Sequence, residues 1–244
     1  MTPCYEIIEN DDIPEIDCLV AGFPGTGLIG GIASEQMINS LEMVQVASLT
    51  CDDFPPTSVI FDGIPRRPVR FFVKGNLMLV KSDMAIPNQL STRLAEKIVE
   101  WSIEKGVNEI ITLDGIPKNE ENDEVKVWGV LSSREHQEKV EDLDIDIIER
   151  GAISGISSSL LLETIEHDMK AIGMFAEGTQ KIPDPRASAA LLDKLCEYKG
   201  LDIDTKTLID RADQLESEFE GLVNQAEELK KDMDGKSAHP PLYG

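Results

Sequence analysis

The sequence predicts an α/β fold: a largely parallel sheet flanked by helices, followed by a long C-terminal heptad helix. Three observations predict it. From about Asp17 to Gly200, short apolar runs alternate with helical patterns, as strand–crossover–strand units require. A glycine-rich turn joins the first apolar run to the first helical stretch, and an unbroken heptad seam begins after Gly200.

The elements follow in order. Cys18–Ala21 is wholly apolar and ends at glycine, which predicts a buried strand. Leu28, Ile29, Ile32, Met37, Ile38 and Leu41 recur at near-helical spacing and predict a helix over Leu28–Leu41. Val44–Leu49, Ser58–Phe61, Val69–Val73 and Leu77–Lys81 are rich in β-branched and aromatic residues and predict strands. Gln89–Lys105 carries Leu90, Leu94, Ile98, Trp101 and Ile103, with Gly106 as its stop. Ile110–Leu113 is a buried strand ending at Asp114-Gly115. Lys118–Glu124 is an acidic loop, and Val125–Leu131 resumes as a strand. Helices over Ser157–Met169 and Pro185–Tyr198 bracket a strand at Ala171–Ala176.

After Gly200 the pattern changes. Leu208, Ala212, Leu215, Phe219, Leu222, Ala226, Leu229 and Met233 are separated alternately by four and three residues, an a/d seam. From Asp202 to Asp234 there are 11 acids and 4 bases. The helix either packs along the domain or projects as a coiled-coil element. Gly235–Ala238 then forms a flexible connection, and Pro240-Pro241 favours a stiff spacer before Leu242-Tyr243-Gly244. The expected organisation is an α/β domain over 1–200, the heptad helix over 201–234 and a tail over 235–244.

The 244 residues include 46 acids and 23 bases, a formal net charge of −23, and 41% are apolar. Such a chain can bury a large core. Its charge argues against nucleic acid or an anionic membrane, both of which need a basic face, and disfavours acidic partners for the same reason, whereas a basic protein surface is an acceptable partner. No apolar run approaches the ~20 residues needed to span a bilayer, and the acidic N-terminus lacks a secretory pattern. The expected location is cytoplasmic. Cys4, Cys18, Cys51 and Cys196 are scattered, as are His136, His167 and His239, so neither a disulfide framework nor a zinc site is expected.

Gly25-Thr26-Gly27-Leu28-Ile29-Gly30 satisfies GxGxxG between a strand and a helix, and Asp52-Asp53 follows about where a ribose-binding acid sits. This would suit a nucleotide or small molecule. The turn opens widely as Gly22-Phe23-Pro24, and Asp52-Asp53 runs into Phe54-Pro55-Pro56, which favours glycines that serve tight turning and close packing instead. Asp83 and Asp114 also lie at carboxyl ends of strands. Arg66, Arg67 and Arg70 form one local basic cluster, suited to an anion or to salt bridges with the abundant carboxylates. No catalytic motif is present and no cofactor is expected.

Gly22–Gly31 (GFPGTGLIGG), Asp53-Phe54-Pro55-Pro56 and Asp62–Arg70 (DGIPRRPVR), taken in order, resemble the PAC2 family, relatives of eukaryotic proteasome assembly chaperone 2. The likeness runs from about Ile16 to Tyr198. It implies a nucleoside-phosphorylase-like α/β fold, no enzymatic activity and a homo-oligomer, for which a tetramer is expected. Some archaeal members end in a hydrophobic–tyrosine–any-residue tail, the HbYX motif, and Leu242, Tyr243 and Gly244 match it residue for residue. The resemblance implies docking of this tail on proteasome core α-subunits or the α-ring. An aromatic anchor beside a terminal carboxylate can form such a small hot spot.

Overall fold

The computed structural model describes residues 5–118, 124–134, 137–180 and 182–213. The strands are β1 (Tyr5–Glu9), β2 (Cys18–Gly22), β3 (Val44–Cys51), β4 (Val59–Phe61), β5 (Ile64–Arg66), β6 (Val69–Lys74), β7 (Leu77–Ser82), β8 (Glu109–Pro117), β9 (Val127–Leu131), β10 (Asp146–Ile147) and β11 (Lys170–Gly178). The helices are α1 (Ile29–Leu41), α2 (Asn88–Glu104), α3 (Gln137–Glu141), α4 (Ile156–Glu166) and α5 (Pro185–Lys199).

Nine strands form one sheet in the order β1-β3-β6-β7-β2-β8-β11-β9-β10, and β4 pairs with β5 apart from it. The expected sheet flanked by helices is there, but it is mixed. Its centre, β7-β2-β8-β11, is parallel. The flank β1-β3-β6-β7 is antiparallel throughout, and β9 runs antiparallel to β11. The reason lies in the connections. β6 and β7 are joined by Gly75 and Asn76 alone, with Gly75 at φ 58°, and no helix intervenes to return the chain for a parallel pairing.

Alternation along the central strands sends side chains to two cores. Cys18 and Val20 point to one, with α1 and α5; Leu19 and Ala21 point to the other, with α2 and α4. The first core holds Ala33 and Met37 of α1 against Leu191 and Leu195 of α5. The second holds Leu94 and Ile98 of α2 against Leu160 of α4. Burying each of the leucine, isoleucine and methionine side chains fully stabilises by about 1.5–3 kcal/mol.

Helix ends follow local chemistry. α5 starts with Asp184 as its cap, accepting from the Ala187 N–H at 2.9 Å, with Pro185 at the first turn. It stops at Gly200 in the left-handed region, φ 68°. Residues 206–213 are helical, and Leu208 and Ala212, the first two seam positions, are buried. Leu208 packs into the α1–α5 core. Leu215 to Met233 lie outside the described residues.

Candidate functional site

Carboxyl ends of parallel strands are the usual ligand rim of an α/β sheet, and here β2, β8 and β11 end around the glycine turn. Gly27 has φ 58° and Leu28, although not glycine, φ 53°. The bare faces of these glycines meet the protein's own atoms. A Cβ on Gly25 would lie 2.4 Å from Asp114 Oδ1, one on Gly27 2.8 Å from the Thr179 carbonyl oxygen, and one on Gly30 2.3 Å from the Leu113 carbonyl oxygen. The turn is locked from the other side as well, because the Asp184 N–H donates to the Gly27 carbonyl at 2.9 Å and Asp184 Oδ2 accepts from the Thr179 N–H at 3.1 Å.

Asp114 faces this turn at Gly25. Ser157 Oγ donates to its Oδ2 at 2.7 Å and the Gly115 N–H to its Oδ1 at 2.8 Å. Burial raises its pKa, and these two hydrogen bonds only partly offset that. A crevice of about 460 Å³ opens beside it, walled by Phe23, Ile86, Ile153 and Phe175, with Thr26 and Ser154 at its rim. A carboxyl standing against Gly25 disfavours a phosphate in the same place.

The nucleotide constellation expected from sequence is not assembled. Asp52 and Asp53 are exposed beyond β3, and β6 and β7 separate β3 from β2. In a dinucleotide fold the acid-bearing strand is the neighbour of the glycine-bearing one. The strand order therefore sets the glycines apart from Asp52-Asp53, and the glycines act as close-packing points.

The basic cluster divides. Arg70 Nη2 donates to Asp83 Oδ2 at 2.6 Å, and Lys81 Nζ reaches Asp83 Oδ1 at 2.9 Å and Glu35 Oε2 at 2.5 Å. Burial alone would push Asp83 up, but hydrogen bonds from Lys81 and Arg70 hold it below the ordinary aspartate range. Arg66 and Arg67 stay exposed.

A second ionic anchor was not foreseen. Glu109, at the start of β8, accepts from Tyr198 Oη at 2.7 Å and from Lys199 Nζ at 2.8 Å, tying the end of α5 to the sheet. Burial raises the Glu109 pKa, yet the donors from Lys199 and Tyr198 outweigh it and the net shift is downward. Burial also pushes the Cys18 thiol beneath this anchor up to about 12, so it stays protonated and inert. Cys18, Cys51 and Cys196 carry no disulfide, and among the described residues no cluster of His, Cys, Asp and Glu could hold a metal. No described helix is long and apolar enough to cross a membrane. Leu242, Tyr243 and Gly244 lie outside the described residues.

A mixed sheet covered by helices on both faces, with a glycine turn closed by its own packing, defines a class of α/β protein without an assembled nucleotide site. The family model described as the PAC2 family matches residues 19–223, and the chain belongs to that family. A Methanocaldococcus jannaschii protein, MJ0106, is 31% identical over 246 aligned positions covering all of both chains. Pyrococcus furiosus PbaA, an archaeal homolog of proteasome-assembly chaperone, superposes with a TM-score of 0.87 at 28% identity, over 95% of this chain and 97% of that one. Pyrococcus furiosus PbaB, an archaeal proteasome activator, gives 0.79 at 25% identity over 90% and 98%.

Proposed function

We propose that this protein is a non-enzymatic proteasome-interacting factor, an assembly chaperone for archaeal proteasome α-subunits. The observation that carries the reading is the near-complete likeness to PbaA. In this proposal a body of the nucleoside-phosphorylase-like type assembles into a homo-oligomer, expected as a tetramer, in the cytoplasm. The acidic heptad segment, whose first seam positions Leu208 and Ala212 are buried against the body, reaches toward the partner beyond them, and Leu242, Tyr243 and Gly244 dock on α-subunits or the α-ring. The match of those three residues to the HbYX pattern supports the docking step. Several tails on one oligomer raise avidity above that of a single short peptide.

Mixing the protein with unassembled α-subunits tests the chaperone role. Faster accumulation of α-rings, read by native mass spectrometry, is the expected result. Unchanged ring formation together with faster peptide hydrolysis by the finished proteasome would instead make it an activator, and no effect on either would overturn the reading.

A further inference from the structure

Ser48, Arg70 and Lys81 lie opposite one another across β3, β6 and β7, a buried polar row on the sheet face that α1 and α5 cover elsewhere. α1 sits over β7, β2 and β8, and α5 over β11 and β9. Beyond the edge of α1 this face opens into a cleft of about 1080 Å³, with Ser48, Arg70 and Phe72 as its floor and the β4–β5 hairpin as its far wall.

The floor is built around a buried ion pair. The Arg70 side chain is only 9% exposed. Its Nη2 is engaged by Asp83, but its buried Nε–H has no acceptor. That nitrogen is sealed from the cleft as well, so Arg70 shapes the floor through its ion pair with Asp83 and its place over the Phe72 ring, 5.4 Å from the centroid. Arg66 and Arg67 stand on the hairpin wall of the same cleft, exposed and without an ion pair among the described residues. Two of the cleft's carboxylates are already committed: Asp83 to Arg70 and Lys81, and Glu35 to Lys81. Asp11 is the other acid lining it, which leaves Arg66 and Arg67 with one uncommitted carboxylate between them, a local basic patch on a chain whose net charge of −23 otherwise disfavours acidic partners.

The remaining surface is apolar. Phe61 is 56% exposed on the hairpin and faces the cleft that Phe72 floors. β4 and β5 pair only with each other, so an outer backbone edge is open for an extended chain. A small inorganic anion would use the arginines and leave the aromatic wall and the strand edge idle.

We infer that this cleft binds an extended acidic peptide segment of another protein. A glutamate or aspartate carboxylate of the segment accepts from the exposed guanidinium groups of Arg66 and Arg67, and its apolar side chains lie against Phe61 and Phe72. The site is separate from the tail-docking reading and does not depend on it.

The test is fluorescence anisotropy of a labelled ten-residue peptide alternating glutamate with leucine and phenylalanine, added to the full-length protein. The same peptide with glutamine for glutamate is the control. The expected result is saturable binding to the wild type, at least tenfold weaker for the glutamine peptide, and at least tenfold weaker for the exposed double variant Arg66→Ala/Arg67→Ala. Arg66→Lys/Arg67→Lys should recover most of the affinity. Equal binding of the two peptides, no saturable binding, or thermal stabilisation by sulfate without peptide binding would each overturn the proposal. So would a fall in oligomer mass of the alanine double variant with peptide affinity unchanged, since the cleft would then be an interface between copies.

Discussion

The glycine turn, at strand ends, and the arginine cleft, on the sheet face, are both concave, yet they differ in what fills them. At the turn, the protein's own atoms occupy the space that each glycine leaves: Asp114 at Gly25, Thr179 at Gly27 and Leu113 at Gly30. At the cleft, Arg70 is buried against Asp83, while Arg66 and Arg67 stand exposed with no ion pair among the described residues. The difference teaches that a motif rich in ligand-binding associations can be a packing device, while a basic run suited to an anion or to salt bridges can divide between a buried ion pair and exposed arginines.

The largest expected effect breaks the turn. Gly30→Ala drives a Cβ into the carbonyl oxygens of Leu113 and Phe23, at 2.3 and 2.8 Å. Neither can move without shifting the sheet. The variant should lose roughly 3 kcal/mol or more and melt roughly 6–12 °C lower by calorimetry. If the turn were instead an open ligand loop, alanine would be tolerated and the melting temperature would barely move.

A middle-sized effect concerns the anchor beneath α5. Glu109→Gln removes the charge that Tyr198 and Lys199 bind and should cost roughly 1–3 kcal/mol at pH 7. A carboxyl whose folded pKa is depressed contributes its stability above the unfolded value, about 4.3 for glutamate, and loses it as pH falls through the lower folded value. Wild type should therefore lose stability on acidification below about pH 4.3, and the variant should lose less across that window. Asp114 has the opposite sign, because burial raises its pKa. Its contribution is present below the unfolded value and declines as pH rises through the folded one, so Asp114→Asn should flatten that decline. Urea titrations of both variants from pH 3 to pH 7 check both signs.

Leu208→Ala sharpens the picture where the seam begins, since Leu208 is buried against the body. A loss of about 2 kcal/mol is expected in denaturant melts, and no loss would mean that residues 206–213 do not anchor to the domain. The smallest effect belongs to the cleft. Arg66→Ala/Arg67→Ala should change stability by no more than about 0.5 kcal/mol, because both side chains are exposed.

Much of the fold was legible because its signals are local. The predicted helices end within a few residues of α1, α2, α4 and α5, and Asp184-Pro185 and Gly200 mark both ends of α5 by their capping chemistry. What escaped depends on distance along the chain or on weak local pattern. β5 contains Pro65, which reads as a strand breaker although it is tolerated in a two-stranded ribbon. Asp62-Gly63, with both residues at positive φ, is the hairpin signal that could have found it. β1 lies in an acidic stretch and β10 is two residues long, too little for periodicity to show. Four strand candidates between Val44 and Lys81 without an intervening helix were the available sign of an antiparallel flank. Which strand neighbours β2 is not written in any local run, and that is why Asp52-Asp53 looked better placed than it is. The Glu109–Tyr198–Lys199 anchor joins residues about ninety positions apart, which only tertiary structure brings together.

The central claim is a tail-docked proteasome partner. The direct measurement is binding of the full-length protein to the archaeal proteasome α-ring beside a protein lacking Leu242, Tyr243 and Gly244, with the ring's competence checked by a known HbYX peptide. The account predicts saturable binding that disappears with those three residues while the oligomeric mass is unchanged. Equal binding by both proteins, or binding by neither to a competent ring, would contradict it.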